Sequence, residues 1–205
     1  MGDVKQRTAT YRQQQAEATK VRIADAARDL FAADGYATTS IEAIGQAAGV
    51  ATRTVYAAFG TKREILNVIC ERWLERAGAR QLAAEVLERP RALDRLRGAA
   101  RWLAVLYSTD FEVVRILDSA MDEDAETRAV LHAKLRGRNR VMDSFIRSIE
   151  PELAIPLADA RAVYRALAAA GVYGALVEDA GWSRTRFEEW LAGTLVKQLL
   201  THADE

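Results

Sequence analysis

Apolar residues recur at intervals of three and four along almost the whole chain, and this spacing limits the possible folds more than any other feature. In the segment 17–34, for example, Ile23, Ala27 and Leu30 share one face of a helix. Alternating apolar and polar residues, the pattern of a half-buried strand, are scarce, and the 205 residues include only three prolines. The sequence therefore predicts an all-α protein.

Glycines and capping signals divide the first third of this helical pattern into short segments. Gly35 is placed to end a first helix and Gly49 to end a second one. Thr39 and Glu42, like Thr61 and Glu64, have the spacing of a capping box, in which two side chains satisfy backbone N–H groups at a helix start. The predicted helices cover about 17–34, 39–48, 52–59, 61–78, 91–108, 111–122, 125–148, 157–179 and 184–201. The polar residues 1–15 are predicted to form a flexible N-terminal arm.

The second and third helices have the features of a helix-turn-helix. The turn 48–50 is short, and Gly49 can adopt the positive φ that such a turn needs. Gly45 provides a small position at which the two helices can cross closely, despite the low helix propensity of glycine. The third helix has an apolar face around Val55 and a mostly uncharged polar face, which suits the major groove of DNA.

Polar side chains of this motif are the candidate DNA contacts. Arg53 can pair bidentately with guanine, and the neighbouring hydroxyls and Lys62 can contact phosphates. The predicted DNA-binding residues are Thr39, Ser40, Thr52, Arg53, Thr54, Tyr56 and Lys62. Residues 1–63 hold nine Lys/Arg against six Asp/Glu in a chain of zero net charge, a weak asymmetry that fits DNA contact at this end.

A longer pattern around the motif resembles the TetR family of transcriptional regulators. It consists of Leu30-Phe31, Gly35-Tyr36, Thr39-Ser40-Ile41, Ala48-Gly49-Val50, Thr54-Val55-Tyr56, Phe59 and Thr61-Lys62-Arg63-Glu64-Ile65-Leu66. The resemblance implies a homodimer that binds a palindromic operator in double-stranded DNA, usually as a repressor, and is released by a small-molecule effector. Ala51 departs from the family pattern, which has Ser or Thr there to cap the recognition helix, so either Thr52 caps it or the helix starts one residue away.

The same resemblance implies a helix-turn-helix domain over 16–76, with its motif at about 39–58, and a ligand-binding and dimerisation domain over 77–205. We expect a small apolar or aromatic effector there, although a fully packed core without ligand is the alternative. The candidate ligand contacts are Trp73, Trp102, Tyr107, Phe111, Met121, Met142 and Phe145. The candidate dimer contacts are Leu167, Gly171, Gly174, Trp190 and Leu195, of which the glycines would let a partner helix approach closely.

Two other classes of protein compete with this interpretation. An enzyme is disfavoured, because no nucleophile elbow, phosphate-binding loop or metal-ligand motif occurs, and we predict neither a cofactor nor a metal site. A helical adaptor that binds only proteins would not shift DNA in a gel. The lone Cys70 and the lack of an apolar leader or membrane-spanning run favour a cytoplasmic location and no membrane partner.

Overall fold

The computed structural model of the chain is built from helices, which confirms the predicted all-α class. It describes the backbone of residues 2–121 and 124–201, and side chains from residue 13 onward within those ranges. The α-helices are α1 (Gly2–Asp34), α2 (Ile41–Ala47), α3 (Thr52–Phe59), α4 (Lys62–Arg76), α5 (Ala79–Glu88), α6 (Ala92–Thr109), α7 (Phe111–Ala120), α8 (Ala125–Arg147), α9 (Leu157–Leu167), α10 (Ala170–Tyr173) and α11 (Arg184–Leu199). A 3₁₀ turn covers Glu150–Glu152 and a π-helix covers Gly174–Asp179. Among the described residues, no helix combines the length and the apolar character that crossing a bilayer requires.

The backbone separates into two compact units. The N-terminal unit contains residues 1–72 and 115–128, and the C-terminal unit contains residues 73–114 and 129–205. The segment 115–128 contacts the rest of the N-terminal unit through an exposed ion pair between Arg63 and Glu126. Asp124 caps α8 in this segment, since its carboxylate accepts hydrogen bonds from the hydroxyl and the backbone N–H of Thr127. These bonds, the hydroxyl's first, lower the pKa of Asp124.

The core of the N-terminal unit is formed by the apolar faces of α1 to α4. Its fully or nearly fully buried side chains are Ile23, Ala24, Ala27, Phe31, Tyr36, Ile44, Val55, Phe59, Ile65, Leu66, Ile69 and Cys70. The ring centres of Phe31 and Tyr36 lie 4.9 Å apart, so the end of α1 packs against the residue that follows Gly35. This burial fixes which faces of α2 and α3 remain in solvent.

Helix α1 is longer than the sequence pattern predicts, since it begins at Gly2 and includes the segment predicted as a flexible arm. From residue 3 to residue 34 the chain contains neither glycine nor proline, and Ala, Gln, Glu, Lys and Arg are frequent. Because these residues have high helix propensity, a helix nucleated on the buried face near Ile23 extends back through them. The segment 1–15, predicted as a flexible arm, is therefore helical in the described backbone from Gly2 onward, and its flexibility stays a prediction.

The C-terminal unit is organised around α6, which packs closely against α5 and α11. Helix α5 lies in the segment 79–90, for which the sequence analysis predicts no helix. Gly78 has a φ of +59°, which ends α4 and starts α5 in a new direction. Gly98 on α6 allows the close approach of α5, since a Cβ there would lie 2.9 Å from a methyl group of Val86.

The predicted helix over 157–179 is interrupted in the structure. Helix α9 ends at Leu167, Ala169 is extended with a ψ of 141°, and the chain continues through α10 into the π-helix. The carbonyl oxygen of Ala168 at the break accepts a hydrogen bond of 2.7 Å from the buried hydroxyl of Tyr107. This bond compensates for lost helical hydrogen bonding, so a residue on α6 stabilises the break in a distant part of the sequence.

Candidate nucleic-acid interface

Helices α2 and α3 cross at the position that the sequence predicts. A Cβ at Gly45 would lie 3.1 Å from the carbonyl oxygen of Val50 and 3.4 Å from a methyl group of Val55, so only glycine fits without displacement. Gly49 in the turn has a φ of +66°, which other residues rarely adopt. Both glycine predictions are confirmed, and together they fix the orientation of α3 on α2.

The hydroxyl groups at the start of α2 have different roles from those predicted. Ser40, not Thr39, is the N-cap, and its side chain accepts a hydrogen bond of 3.1 Å from the N–H of Ala43. Thr39 is 5% exposed, and its hydroxyl donates to the carbonyl oxygen of Gly35 at 2.8 Å. The Thr39 capping box is therefore wrong, and so is the assignment of Thr39 as a phosphate contact, because its hydroxyl is buried in the connection between α1 and α2.

Helix α3 presents a polar surface beside its buried face. Val55 and Phe59 are buried, whereas Arg53 is exposed and the side chain of Tyr56 is 50% exposed. The predicted contacts Thr52 and Thr54 are half-buried, and Ser40 is exposed at the start of α2. Arg53 and Tyr56 are thus the large polar side chains of α3 that reach solvent.

The start of α3 settles the question raised by Ala51. Ala51 is the N-cap, with an extended backbone and no side-chain hydrogen bond, so Thr52 is the first helical residue and not the cap. An uncapped helix start leaves backbone N–H groups directed along the axis, where the helix dipole favours an anion such as phosphate. Replacement of the usual hydroxyl by a methyl group thus leaves the N–H groups of this turn without a side-chain acceptor.

Lys62 at the start of α4 binds the protein's own backbone. Its ammonium donates to the carbonyl oxygens of Tyr36, Ala37 and Thr39 at 2.6, 3.1 and 3.3 Å. The same nitrogen lies 4.4 Å from the centre of the Tyr36 ring, within cation–π distance. Since an ammonium group has three N–H donors, these bonds can use all of them in this conformation, and the phosphate contact of Lys62 stays a prediction. Lys62 fixes the connection between α1 and α2 to α4.

We expect replacement of Lys62 by methionine to lower the free energy of unfolding by about 1.5–3 kcal/mol, the range for hydrogen bonds to charged groups. Methionine keeps the aliphatic stem but leaves three carbonyl oxygens without this donor. Urea denaturation measures the loss, with Lys20→Met as the control because Lys20 is exposed on α1. Unchanged stability together with a salt dependence of DNA binding lowered by about one unit would instead show a phosphate contact.

The predicted ligand contacts are not one group in the structure. Trp73 and Trp102 are buried, and their indole N–H groups donate to the carbonyl oxygens of Leu106 at 2.9 Å and Ala79 at 2.8 Å. Trp102 also makes an edge contact with the ring of Phe145, at 5.6 Å between centres, and Met142 is fully buried on the same helix as Phe145. These four residues serve as packed core.

A second aromatic cluster lies beside the break after α9. The ring of Tyr107 lies 5.8 Å from that of Phe111 and 5.1 Å from that of Tyr173, and Phe111 lies 4.8 Å from Tyr173. Of the predicted contacts, therefore, Tyr107 and Phe111 form a different group from the two tryptophans. Met121 belongs to the N-terminal unit, where it is half-buried.

The predicted dimer contacts also separate into different environments. Gly171 is exposed, with open space around the position of a Cβ, and Leu167 and Trp190 are half-buried. A Cβ at Gly174 would lie 3.6 Å from the Phe111 ring, so its small size serves packing within the chain. Leu195 is fully buried on the face of α11 that is covered within the unit, and its assignment as a dimer contact is therefore wrong.

Arg138 on α8 is a polar residue of the C-terminal unit that is not among the predicted site residues. Its guanidinium Nη1 donates a hydrogen bond of 2.9 Å to the hydroxyl oxygen of Tyr107. Arg138 lies at a position where the three-and-four spacing of apolar residues on α8 would place another apolar side chain. A charge in that stripe was the signal that could have identified it.

The arrangement of α2 and α3 defines the N-terminal unit as a helix-turn-helix DNA-binding domain. Residues 23–69 match the model of the bacterial regulatory proteins of the tetR family. Residues 23–69 therefore contain the N-terminal DNA-binding domain of this family, which confirms the predicted resemblance over these residues. No curated protein matches the chain as a whole.

Solved structures of similar fold include several transcriptional regulators. FadR from Bacillus subtilis in complex with stearoyl-CoA is 20% identical with a TM-score of 0.70, over 86% of this chain and 97% of that one. NalD from Pseudomonas aeruginosa, the secondary repressor of the MexAB-OprM multidrug efflux pump, is 20% identical with a TM-score of 0.73, over 93% and 100% of the chains. SmeT in complex with triclosan is 21% identical with a TM-score of 0.71, over 91% and 93%. At these identities the similarity establishes a shared fold.

Proposed function

We propose that the protein is a ligand-responsive transcriptional repressor that binds a palindromic operator as a homodimer and is released by a small apolar or aromatic effector. The observation that carries the proposal is the surface of α3, on which Arg53 and the half-exposed Tyr56 stand beside a helix start without a side-chain cap. The close crossing at Gly45 holds this surface in a fixed orientation on α2. A short helix held in this way can enter the major groove.

Within this interface, base recognition and backbone contact are assigned to different residues. Arg53 reads a base, because it is exposed and its guanidinium can pair bidentately with guanine. Ser40, Thr52, Thr54 and Tyr56 contact phosphates through hydroxyl groups, which carry no sequence information. The domains keep their proposed limits, with DNA binding in 16–76 and dimerisation and ligand binding in 77–205.

We expect Arg53→Ala to relax discrimination at one base pair by about 1–3 kcal/mol, because a bidentate base contact is lost. Tyr56→Phe should weaken binding similarly for all sequences, because only a hydroxyl contact to the backbone is removed. Fluorescence anisotropy on an operator duplex and its single-base variants measures both effects. Equal loss of affinity on all duplexes for Arg53→Ala would contradict the assignment of Arg53 to a base.

The proposed dimerisation is supported by the geometry of DNA and by the surface of the C-terminal unit. Two recognition helices must stand about 34–36 Å apart to enter successive major grooves, which one chain cannot provide. Gly171 on α10 is exposed beside open space, and Leu167 and Trp190 keep part of their apolar surface in solvent. A partner helix could cover this surface with two-fold symmetry. The proposal includes a cytoplasmic location, where the lone Cys70 would remain reduced.

Effector binding is assigned to the C-terminal unit on the basis of its aromatic residues and of ligands in similar folds. The structures of FadR with stearoyl-CoA and of SmeT with triclosan each contain an amphipathic or aromatic molecule. In this chain, the cluster of Tyr107, Phe111 and Tyr173 beside the helix break is a candidate contact surface. Helix α4 begins with the Lys62 contacts and ends beyond Trp73, so a ligand that moves α4 would alter the DNA-binding unit.

The effector part of the proposal is tested on the complex of the protein with its selected operator. A panel of apolar and aromatic compounds is titrated into the complex, and release of labelled DNA is followed by anisotropy. We expect at least one compound to lower operator affinity 5–150-fold, which corresponds to a coupling of about 1–3 kcal/mol. Unchanged affinity across the panel would favour the alternative of a packed core that responds to no ligand.

A further inference from the structure

A single arginine interrupts the buried stripe of α8. The stripe follows a three-and-four spacing through Leu131, Leu135, Arg138, Met142 and Phe145, and the same spacing continues to Ile149 just beyond the end of α8. Leu131, Met142, Phe145 and Ile149 are buried, and Leu135 is half-buried. Arg138 therefore extends from the face of α8 that otherwise packs into the C-terminal unit, and not from the face in solvent.

The guanidinium of Arg138 has one partner and one unused buried donor. Its Nη1 donates to the hydroxyl oxygen of Tyr107, whereas its Nε is buried without a hydrogen-bond partner. Among the described residues, no carboxylate forms an ion pair with Arg138. Nearby in sequence, the side-chain oxygen of Asn139 is also buried without a partner, as are Nε and Nη2 of Arg161 on α9. Arg138 and Arg161 are half-buried as residues, and the unit thus contains buried donor and acceptor atoms on them and on Asn139 that the described chain does not satisfy.

Tyr107 holds the guanidinium in place. The tyrosine is fully buried, and its hydroxyl donates to the carbonyl oxygen of Ala168 at the helix break, so its oxygen remains available to accept from Arg138. The positive charge of Arg138 also acts on a buried tyrosine of the same unit. Burial raises the pKa of Tyr164, whereas the charge of Arg138 lowers it. Phe111 and Tyr173 place apolar ring surface next to Tyr107.

This combination matches one class of ligand. An arginine side chain stays protonated in proteins, and a buried N–H donor such as Nε of Arg138 is costly unless an acceptor pairs with it. Its planar donors fit a carboxylate with two parallel hydrogen bonds, and the adjoining rings suit an apolar skeleton. Resting on the proposed function that an effector binds this unit, we propose that the effector is a carboxylic acid whose carboxylate binds the guanidinium of Arg138.

The proposal is tested with matched pairs of compounds on the full-length protein without DNA. The pairs are naphthalene-2-carboxylic acid, 4-phenylbutanoic acid and decanoic acid, each with the carboxamide of the same skeleton. Isothermal titration calorimetry should show at least one acid binding, at least tenfold more tightly than its amide. Inorganic phosphate at the same ionic strength should not compete, since it lacks the apolar skeleton. Binding of no acid, or equal binding of acid and amide, would overturn the proposal.

Variants then locate the carboxylate. Arg138→Gln should abolish the preference for the acid, and Arg138→Lys should retain part of it, because lysine keeps the charge but not the two parallel donors. Arg147→Gln is the matched control, since Arg147 is exposed on the same helix. An unchanged preference in Arg138→Gln would refute the assignment. If Arg138→Gln does not fold, two measurements still test the carboxylate proposal. They are the comparison of acid and amide on the natural chain and the same comparison on the Arg138→Lys variant.

Operator release separates this inference from the proposed function. If acids bind through Arg138 but do not release DNA, the carboxylate site stands and release by this effector class is wrong. If neutral compounds release DNA while no acid binds, ligand-responsive regulation stands and the carboxylate site is wrong.

Discussion

Replacing Gly45 by valine should abolish specific DNA binding. The added Cβ would lie 3.1 Å from the carbonyl oxygen of Val50 and 3.4 Å from a methyl group of Val55, before its own methyl groups are placed. A backbone oxygen cannot rotate away as a flexible side chain can, so α2 and α3 must separate. We expect a loss of about 3 kcal/mol in folding free energy, the upper part of the range for overpacked sites.

Helix propensity acts in the other direction but does not compensate for this clash. Removing a glycine from a helix gains at most about 1 kcal/mol, and a β-branched residue gains less. With α3 displaced, affinity for the operator should fall by about a thousandfold, to the level of non-specific binding. Urea denaturation and fluorescence anisotropy provide the two measurements.

Ala47→Val is the matched control for stability, because Ala47 is exposed on the same helix and receives the same side chain. Its free energy of unfolding should change by no more than about 0.5 kcal/mol. A Gly45→Val protein with normal stability and normal operator affinity would show that the close crossing of α2 and α3 has no role in DNA binding.

The second large effect is expected from the combined change of Gly171 and Gly193 to arginine, since Gly193 lies on α11 three positions after Trp190 of the proposed interface. Both glycines are exposed, and a Cβ at either position meets no atom within 4 Å, so the folded monomer can accept the larger side chains. At a two-fold interface each charge would appear twice and oppose the approach of the partner helices. We expect a folded monomer whose operator affinity falls by about a thousandfold, because one recognition helix alone binds half of the site.

Sedimentation velocity at micromolar concentration measures the dimer, and thermal denaturation verifies that the double variant is folded. Ala158→Arg is the control, since Ala158 is exposed on α9 and lies outside the proposed interface. A natural chain that sediments as a monomer would contradict the proposed dimer. A double variant that remains dimeric would show that the interface lies on another surface.

The positions of the helix-turn-helix could be predicted from the sequence because local chemistry determines them. Gly45 and Gly49 are required by a close contact and a positive φ, and both requirements involve residues only a few positions away. The cap of α2 was misplaced by one residue, because Thr39 and Ser40 both carry a hydroxyl and the backbone angles decide which one faces the helix start.

Features that depend on distant residues could not be predicted in this way. The break after Leu167 is stabilised by the hydroxyl of Tyr107, which lies 61 positions away from its acceptor. A lysine at a helix start in this motif suggests a phosphate contact for Lys62. In the structure, carbonyl oxygens 23 to 26 positions earlier in the chain accept hydrogen bonds from its ammonium group. Periodicity also indicates that Leu195 is buried, but it does not indicate which surface covers it.

Selection from a randomised library of double-stranded DNA tests whether the protein binds a specific sequence as a dimer. The full-length protein is incubated with the library at moderate salt, bound duplexes are recovered and amplified, and the enriched sequences are read. The account predicts one inverted repeat whose half-site centres are separated by about 10–10.5 base pairs or a multiple of that distance. Failure to enrich any sequence over a protein-free selection, even at low salt, would contradict the account.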